Sequence, residues 1–344
     1  MPAPNCVGAL IRDGRHRVYA QRRSPDRRLL PGIWDIVGGH VEPGETPEQT
    51  LAREIEEETG WRLRRIEAVV AEWEWTPDER HTPDPRNRFA RHERDYLVDV
   101  DGDLDAPVLE DGKHDAFAWV GPADLDLMMV GRTDGDRRLR DLVAQAVRTR
   151  LTDRLRLVPI GPEHAADLVR LHGEPGIVRW FGSSWSRDHA VEVAATKQRA
   201  WETNGTSKWM AYERGTGELV GRGGVDRLSD DNAVTAHLVD LLAGHTWTTD
   251  RLEVGWSVSP TRQRRGYATE IGQAGLDFAF GELGASGVVA FTETHNEASR
   301  AVMERLGMVE VGEVRGPGLI PGRNDVNDDA AFAVYLITND QSPR

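Results

Sequence analysis

Residues 39–61 read Gly39-His-Val-Glu-Pro-Gly-Glu45-Thr-Pro-Glu-Gln-Thr-Leu-Ala-Arg53-Glu54-Ile-Glu-Glu57-Glu58-Thr-Gly60-Trp61. Thr46 followed three residues later by Gln49 is a capping box, and Pro47 occupies the favoured first helical position. Gly60 is a natural helix stop, so the spacing predicts a helix over 47–59. Leu51, Ala52 and Ile55 recur at helical spacing and are expected to face a core. Glu54, Glu57 and Glu58 stand at i, i+3 and i+4, which puts three carboxylates on one side of the helix, where like charges repel. A bound cation reverses that repulsion, and oxygen-only ligands suit a hard ion such as Mg²⁺ or Mn²⁺ rather than zinc. A solvated acidic face is the plainer reading of a Glu-rich helix taken alone.

What separates this helix from that plain case is its frame. Gly39, Glu45, Arg53, Glu54, Glu57, Glu58 and Gly60 fall at G-x5-E-x7-R-E-U-x-E-E-x-G-U, with Ile55 and Trp61 at the apolar (U) positions. The segment resembles the Nudix hydrolases, which use a divalent metal to cleave nucleoside diphosphates linked to another group. The resemblance implies metal binding by Glu54, Glu57 and Glu58, with the Gly39 carbonyl as a further ligand. It implies that Arg53 orients the acidic cluster, that Glu54 or Glu57 serves as general base, and that Glu45 supports them. Glu93 and Asp115 are candidates for an additional carboxylate outside the box, with an ordinary surface charge as the competing reading of each.

Around this segment the chain has 344 residues, room for two domains. Its formal net charge of -14 is shared evenly between the halves, and no long Lys/Arg run occurs. That excludes a basic nucleic-acid binder, so sites for anionic nucleotides must be made locally from metal, Arg or helix N-termini. Cys6 is the only cysteine, which rules out an intrachain disulfide and fits a reducing compartment. The opening Met-Pro-Ala-Pro-Asn-Cys lacks a basic-then-apolar signal pattern, and no apolar run approaches a membrane span of ~20 residues. The expected location is cytoplasmic, with no membrane partner.

The rest of the first half reads as strands. Two short ones, from Val7 and from Val18, are joined by a turn at Asp13-Gly14. A third precedes the box, longer ones cover Trp61–Trp75 and Arg94–Val100, and Ala116–Val120 closes the set. Residues 76–87, rich in Pro, Asp and Arg, form a loop. Trp73 and Trp75 could stack on a base or simply pack. A charged helix over 135–149 follows, giving a first domain of 1–149.

The second half, 150–344, opens with a strand through Pro159 and a helix over 162–172. Leu252-Glu-Val-Gly-Trp-Ser-Val is a strand that leads into Gln263-Arg-Arg-Gly266-Tyr-Ala268 and a helix running to Phe280. A strand, a glycine turn and a helix N-terminus in that order make an anion site from unpaired backbone N–H groups. Asn296 is a favoured N-cap and opens a short helix with Ser299 in its first turn.

With Arg154-Leu-Arg-Leu, Glu253-Val-Gly-Trp and Gly266-Tyr-Ala-Thr-Glu270, this half resembles the GNAT N-acetyltransferase superfamily over 152–338, most closely the branch that acetylates ribosomal-protein N-termini. The resemblance implies an acetyl-CoA co-substrate bound through Gln263, Arg264, Arg265, Gly266, Tyr267 and Ala268. Asn296 and Ser299 would sit near the thioester, Ser299 protonating the thiolate or orienting the thioester. Glu253 would be general base or substrate positioner. Tyr335 and His237 are weaker candidates, with a core tyrosine and a surface histidine as the plain readings.

The fold class expected is α/β (α+β) in two domains, a Nudix α/β/α sandwich followed by a GNAT mixed sheet. The function expected is a bifunctional enzyme that hydrolyses a nucleotide-type substrate with Mg²⁺ (or Mn²⁺) and N-acetylates an amine acceptor, in detoxification or self-resistance. The alternatives are nucleotide sanitation with protein N-terminal acetylation, or a nucleotide and acyl-CoA sensor without turnover.

Overall fold

A computed structural model describes residues 3–27, 30–76, 89–129, 134–231, 234–245, 247–321 and 325–340. It separates into two compact units, Met1–Arg148 and Thr149–Arg344. The loop expected over 76–87 falls, apart from Thr76, outside the described residues.

The first unit runs β1 (Cys6–Ile11), β2 (Val18–Arg23), β3 (Trp34–Asp35), β4 (Val37–His40), α1 (Pro47–Thr59), β5 (Arg62–Trp75), β6 (Arg91–Asp101), β7 (His114–Val120) and α2 (Asp134–Arg148). β4, β1, β6 and β5 form one sheet in that order, with β1 and β6 parallel, and β3, β2 and β7 form a second. β1 and β2 are consecutive yet do not form a hairpin: they meet at a single bridge, Arg12↔Val18, and part into different sheets. Asp13 makes the turn by accepting the backbone N–H groups of Arg15 and Arg17. β6 begins at Arg91, three residues before the expected start, because Arg91, His92 and Glu93 pair with Trp75, Glu74 and Trp73.

α1 is capped as its sequence requires. Thr46 accepts from the Gln49 N–H, the Gln49 side chain accepts from the Thr46 N–H, and Gly60 ends the helix at φ 70°. Leu51 and Ile55 are fully buried against Val7, Ala9, Val37 and Tyr96, while Ala52 lies only half-buried at the margin. Trp61 seals the core beneath Tyr19 and Trp119 and donates its indole N–H to the Asp103 carbonyl.

The second unit runs β8 (Arg150–Leu151), β9 (Leu155–Pro159), α3 (Ala165–His172), α4 (Pro175–Phe181), α5 (Arg187–Asn204), β10 (Lys208–Glu213), β11 (Leu219–Arg227), α6 (Thr235–Leu241), α7 (Trp247–Asp250), β12 (Leu252–Val258), α8 (Tyr267–Gly281), β13 (Gly287–Glu293), α9 (Glu297–Arg305), β14 (Val309–Gly318) and β15 (Asn327–Thr338). The first turn of the helix expected over 162–172 is a separate 3-10 turn, Pro162–His164. Eight strands form one sheet in the order β14-β15-β13-β12-β11-β10-β9-β8.

Every ladder of this sheet is antiparallel except the one between β12 and β13. That parallel pair registers at one position, Glu253↔Val289, and then opens toward the C-terminal ends of both strands. Side chains alternate across the sheet. One face carries Gly223, Val225 and Val254 against α8, which fits closely because a Cβ at Gly223 or Gly275 would crowd its neighbours. The other face carries Met210, which packs with side chains of α3, α4 and α5. Among the described residues no helix is long and apolar enough to cross a membrane.

Candidate active sites

In the first unit α1 lies against β4, and Gly39 is the contact point. A Cβ at Gly39 would fall 2.1 Å from Glu54 Oε1, so the glycine lets backbone rest on that carboxylate. Arg53 organises the acids around it. Its Nε donates to Glu45 Oε1 at 2.9 Å, its Nη1 to Glu54 at 2.7 Å and Glu57 at 3.2 Å, and its Nη2 to the His40 carbonyl at 3.3 Å. Bonds from Arg53 and Thr50 hold Glu45 down at about 2. Burial pushes Glu54 up against the opposing pull of Arg53.

Glu58, one turn on, lies against the neighbouring residue of β4. Its Oε2 accepts from Gln21 at 2.6 Å and from the Gly38 N–H at 3.2 Å, and burial together with Glu54 raises it to about 8. His114 lies 3.9 Å from Glu58 Oε1 and stays neutral, since burial lowers it to about 4. The three carboxylates therefore share a helix face without converging, and among the described residues no three ligating side chains form a ready cage. For a hard cation, Glu54 against the Gly39 backbone and the half-exposed Glu57 beside it make a fitting oxygen set, with the glycine cradle as the physical sign. Glu58 is bound from behind by Gln21 and Gly38.

The two carboxylates considered outside the box lie elsewhere. Asp115 is paired with Arg22 at 2.7 Å on the surface. Glu93 accepts from the Trp75 indole at 2.5 Å and neighbours Asp95, which accepts from Trp73 at 2.8 Å. Burial raises both acids; Asp95 raises Glu93 further, while hydrogen bonds with Trp73 and Glu93 hold Asp95 back. Trp73 and Trp75 stack on each other at 5.9 Å, with Arg91 over Trp75.

In the second unit the turn before α8 is built for exposed donors. Gln263 ties back to the Val258 carbonyl at 3.0 Å, and Arg264 and Gly266 both adopt positive φ, 61° and 82°. Arg154 clamps the turn by donating to the Arg265 carbonyl at 2.8 Å while it pairs with Glu270. Among the described residues the backbone N–H groups of Arg264 to Ala268 meet no acceptor, and Gly266 offers no side-chain cap. Tyr267 is turned inward, with its hydroxyl on Glu213 at 2.5 Å.

Asn296 caps α9 by accepting from the Ser299 N–H at 3.2 Å and donates to Thr292. Glu253 sits on the face of β12 opposite α8. Its Oε2 is held at 2.6 Å by Lys208 Nζ, which also donates to the Gly224 carbonyl at 2.8 Å. Asp226, opposite Glu253 in the ladder, is held by Lys197 at 2.6 Å and Ser207 at 3.0 Å. Of the two weaker candidates, the buried Tyr335 bonds Arg300 and Glu310, and the exposed His237 bonds the Arg315 carbonyl.

Sequence reading missed Lys208, because its partner lies 45 residues away. It also missed an aromatic group at the ends of α3 and α4 and just beyond: His172 and Trp185 stack at 3.5 Å, and Phe181 meets the His172 ring edge-on at 4.6 Å. No spacing rule joins these three residues.

Comparison with known proteins matches residues 2–144 to the NUDIX domain and residues 154–309 to the Acetyltransferase (GNAT) domain. The nucleoside triphosphatase NudI of Klebsiella pneumoniae is 36% identical over 121 residues, which are 35% of this chain and 82% of that protein. The FsC-acetyl coenzyme A-N(2)-transacetylase of Aspergillus fumigatus is 33% identical over 163 residues, 46% of this chain, and the chain spans 64% of its length. Among solved structures, the ribosomal-protein-S5-alanine acetyltransferase of Vibrio fischeri is 13% identical over 57% of this chain and 99% of that one, with a TM-score of 0.44.

Proposed function

From a chain that belongs to the Nudix hydrolases through its first unit and carries a GNAT acetyltransferase domain in its second, we propose a bifunctional enzyme. It hydrolyses a nucleoside di- or triphosphate compound with a divalent cation and transfers acetyl from acetyl-CoA to an amine. For the hydrolase, the carrying observation is the Gly39–Glu54–Arg53 arrangement. A Mg²⁺ or Mn²⁺ ion held there would lower the pKa of water and neutralise charge on the leaving phosphate. Arg53 keeps Glu45, Glu54 and Glu57 in fixed relation, so the carboxylates stay oriented when substrate phosphate arrives. Glu54 or Glu57 takes the proton from the attacking water.

For the transferase, the carrying observation is the opening between β12 and β13, which lies beside a turn of unpaired N–H groups. Those donors suit the pyrophosphate of CoA, with the helix dipole of α8 adding attraction. The acceptor amine loses a proton and attacks the thioester carbonyl; the C–S bond then breaks and the thiolate takes up a proton. Glu253 is positioned to draw an ammonium toward the opening, and Ser299 in the first turn of α9 is the donor to the thiolate. Fusion puts both reactions on one compound, a nucleotide-linked amine cleaved at phosphate and capped at nitrogen, as detoxification or self-protection requires.

The test is mass spectrometry of products from a panel of nucleoside triphosphates, ADP-ribose, dinucleoside polyphosphates and sugar nucleotides. Each is run with Mg²⁺, with and without acetyl-CoA, using wild type and Glu57→Gln. Cleavage lost in Glu57→Gln supports the hydrolase. An acetyl mass gain on a cleaved compound supports the shared substrate, and two unrelated substrates would sink that part. Binding without turnover would move the assignment to a sensor.

A further inference from the structure

On the helix-covered face of the second sheet, the Arg222 guanidinium leaves most of its donors unused. Arg222 lies on β11, paired with Met210 of β10 and Ser257 of β12, so its side chain rises on the same face as Lys208 and Glu253. Its Nε donates to His172 Nε2 at 2.8 Å. A guanidinium is always a donor, so His172 must accept there and remain neutral, as its full burial demands; burial and Arg222 lower it to about 3. The guanidinium carbon lies 5.2 Å from the Trp185 ring and 5.6 Å from the Phe181 ring. Three rings thus hold its plane, while Nη1 and Nη2 meet no acceptor among the described residues.

The nearby acids lend it only long-range attraction: Asp226 is engaged by Lys197 and Ser207, and Glu253 gives Oε2 to Lys208 while its Oε1 makes no hydrogen bond among the described residues. Arg222 is half-buried, so its unpaired fork stays open to an incoming anion. α4 spans the opening between β12 and β13. Near its start, Gly176 rests so closely on Pro260, beyond the end of β12, that a Cβ would lie 2.5 Å from it. Near its end, Trp180 stacks on His295, beyond the end of β13, at 5.4 Å. The next residue is Phe181, so the aromatic box adjoins the opening in which an acceptor meets the thioester.

We propose that Arg222 is a carboxylate-binding site and that the acetyl acceptor is an amine that carries a carboxylate. The planar fork of Nη1 and Nη2 pairs with both carboxylate oxygens, while Glu253, farther along the same face, attracts the ammonium. This inference rests on the acetyltransferase reading and narrows its acceptor class.

The experiment uses the full chain with acetyl-CoA and measures CoA release for acceptors paired with their decarboxylated forms. The pairs are L-phenylalanine and phenethylamine, L-leucine and 3-methylbutylamine, and 6-aminohexanoate and pentylamine. Wild type should favour the acid of at least one pair by roughly 10–100-fold in kcat/KM, the range for a hydrogen-bonded charge. Arg222→Gln should remove that preference by raising KM for the acid, with acetyl-CoA binding as the check that the variant is folded, and Arg222→Lys should restore only part of it. Should Arg222→Gln fail to fold, the wild-type preference alone decides. Equal rates for acid and amine, a preference for the amines, or no acetylation of any pair while acetyl-CoA binds would each overturn the carboxylate site. Failure of wild type to bind acetyl-CoA would instead overturn the underlying acetyltransferase reading.

Discussion

Replacing Gly39 by alanine tests the hydrolase geometry most directly. A Cβ there would lie 2.1 Å from Glu54 Oε1 and 2.2 Å from its carboxyl carbon, whereas ordinary contact begins near 3.4 Å. The carboxylate must therefore retreat by about 1 Å. It is the end of a flexible side chain, so the backbone can stay in place and the stability cost should fall at the low end of the roughly 1–3 kcal/mol seen for overpacking. In a unit of this size each kcal/mol lowers Tm by about 2–4 °C. Activity is another matter, since retreat breaks the 2.7 Å bond to Arg53 that fixes the carboxylate. Displacing a catalytic group by about 1 Å costs on the order of 100-fold, equal to roughly 2.7 kcal/mol of transition-state stabilisation. The assay is hydrolysis of the cleaved panel nucleotide with Mg²⁺, beside acetyl transfer in the same sample. Gly39 lies in the first unit and the transferase residues lie in the second. Hydrolysis should fall about 100-fold, acetyl transfer should hold, and Tm should drop by only a few degrees. Hydrolysis within threefold of wild type would refute the claim that the Gly39 backbone sets the position of Glu54.

Lys208→Met strands the Glu253 carboxylate, and urea unfolding should show the second unit losing about 3–5 kcal/mol, the usual cost of an orphaned buried charge; adding Glu253→Gln should recover much of it. Two buried histidines, His172 at about 3 and His114 at about 4, stay neutral when folded but protonate near 6.5 when unfolded. Their contribution is present above pH 6.5 and is lost as pH falls toward those values, so melting curves from pH 7 to 4 should show stability falling, and His172→Gln should flatten that fall in the second unit. Glu58, raised to about 8, has the opposite sign: its benefit is present below pH 4.5 and is lost as pH rises through 8. Metal-free melts should reveal that decline in the first unit, and Glu58→Gln should remove it. Thr46→Ala removes the α1 cap and should cost about 1 kcal/mol in chemical denaturation, with little change in hydrolysis at saturating substrate.

What could be read from sequence was mostly local. The limits of α1, its capping box and its Gly60 stop follow from residues within one turn of each end, and the Asn296 cap of α9 follows in the same way. The Gln263–Ala268 turn was visible because strand, glycine and helix signals stand in a row. Pairings between distant segments were not visible. Nothing near Asp13 says that β1 and β2 part into separate sheets, because that choice is made by β6 and β7, some 90 residues on. The i, i+3, i+4 spacing put Glu58 with Glu54 and Glu57, but it did not show the bonds that Gln21 and the Gly38 N–H make to Glu58 from distant stretches of chain. The Arg222 box draws His172 from α3, Phe181 from α4, Trp185 from the stretch after α4 and Arg222 from a strand, and isolated histidines and tryptophans carry no signal of that kind.

The single registered pair between β12 and β13 bears on how much acetyl donor the protein needs in order to stay folded. Beyond Glu253 the edge of β12 that faces β13 has no paired strand among the described residues, so in backbone hydrogen bonds the two halves of the sheet meet at one rung, with a shared core on one face behind it. A donor lying in that gap binds only the folded sheet, and mass action then adds about 2.7 kcal/mol when its concentration is a hundred times Kd. The second unit would thus be held together partly by the supply of its own co-substrate. Starved of acetyl-CoA, it should open along that seam first, and the amides of Gly255 to Val258 should exchange their protons faster than those of the neighbouring β11.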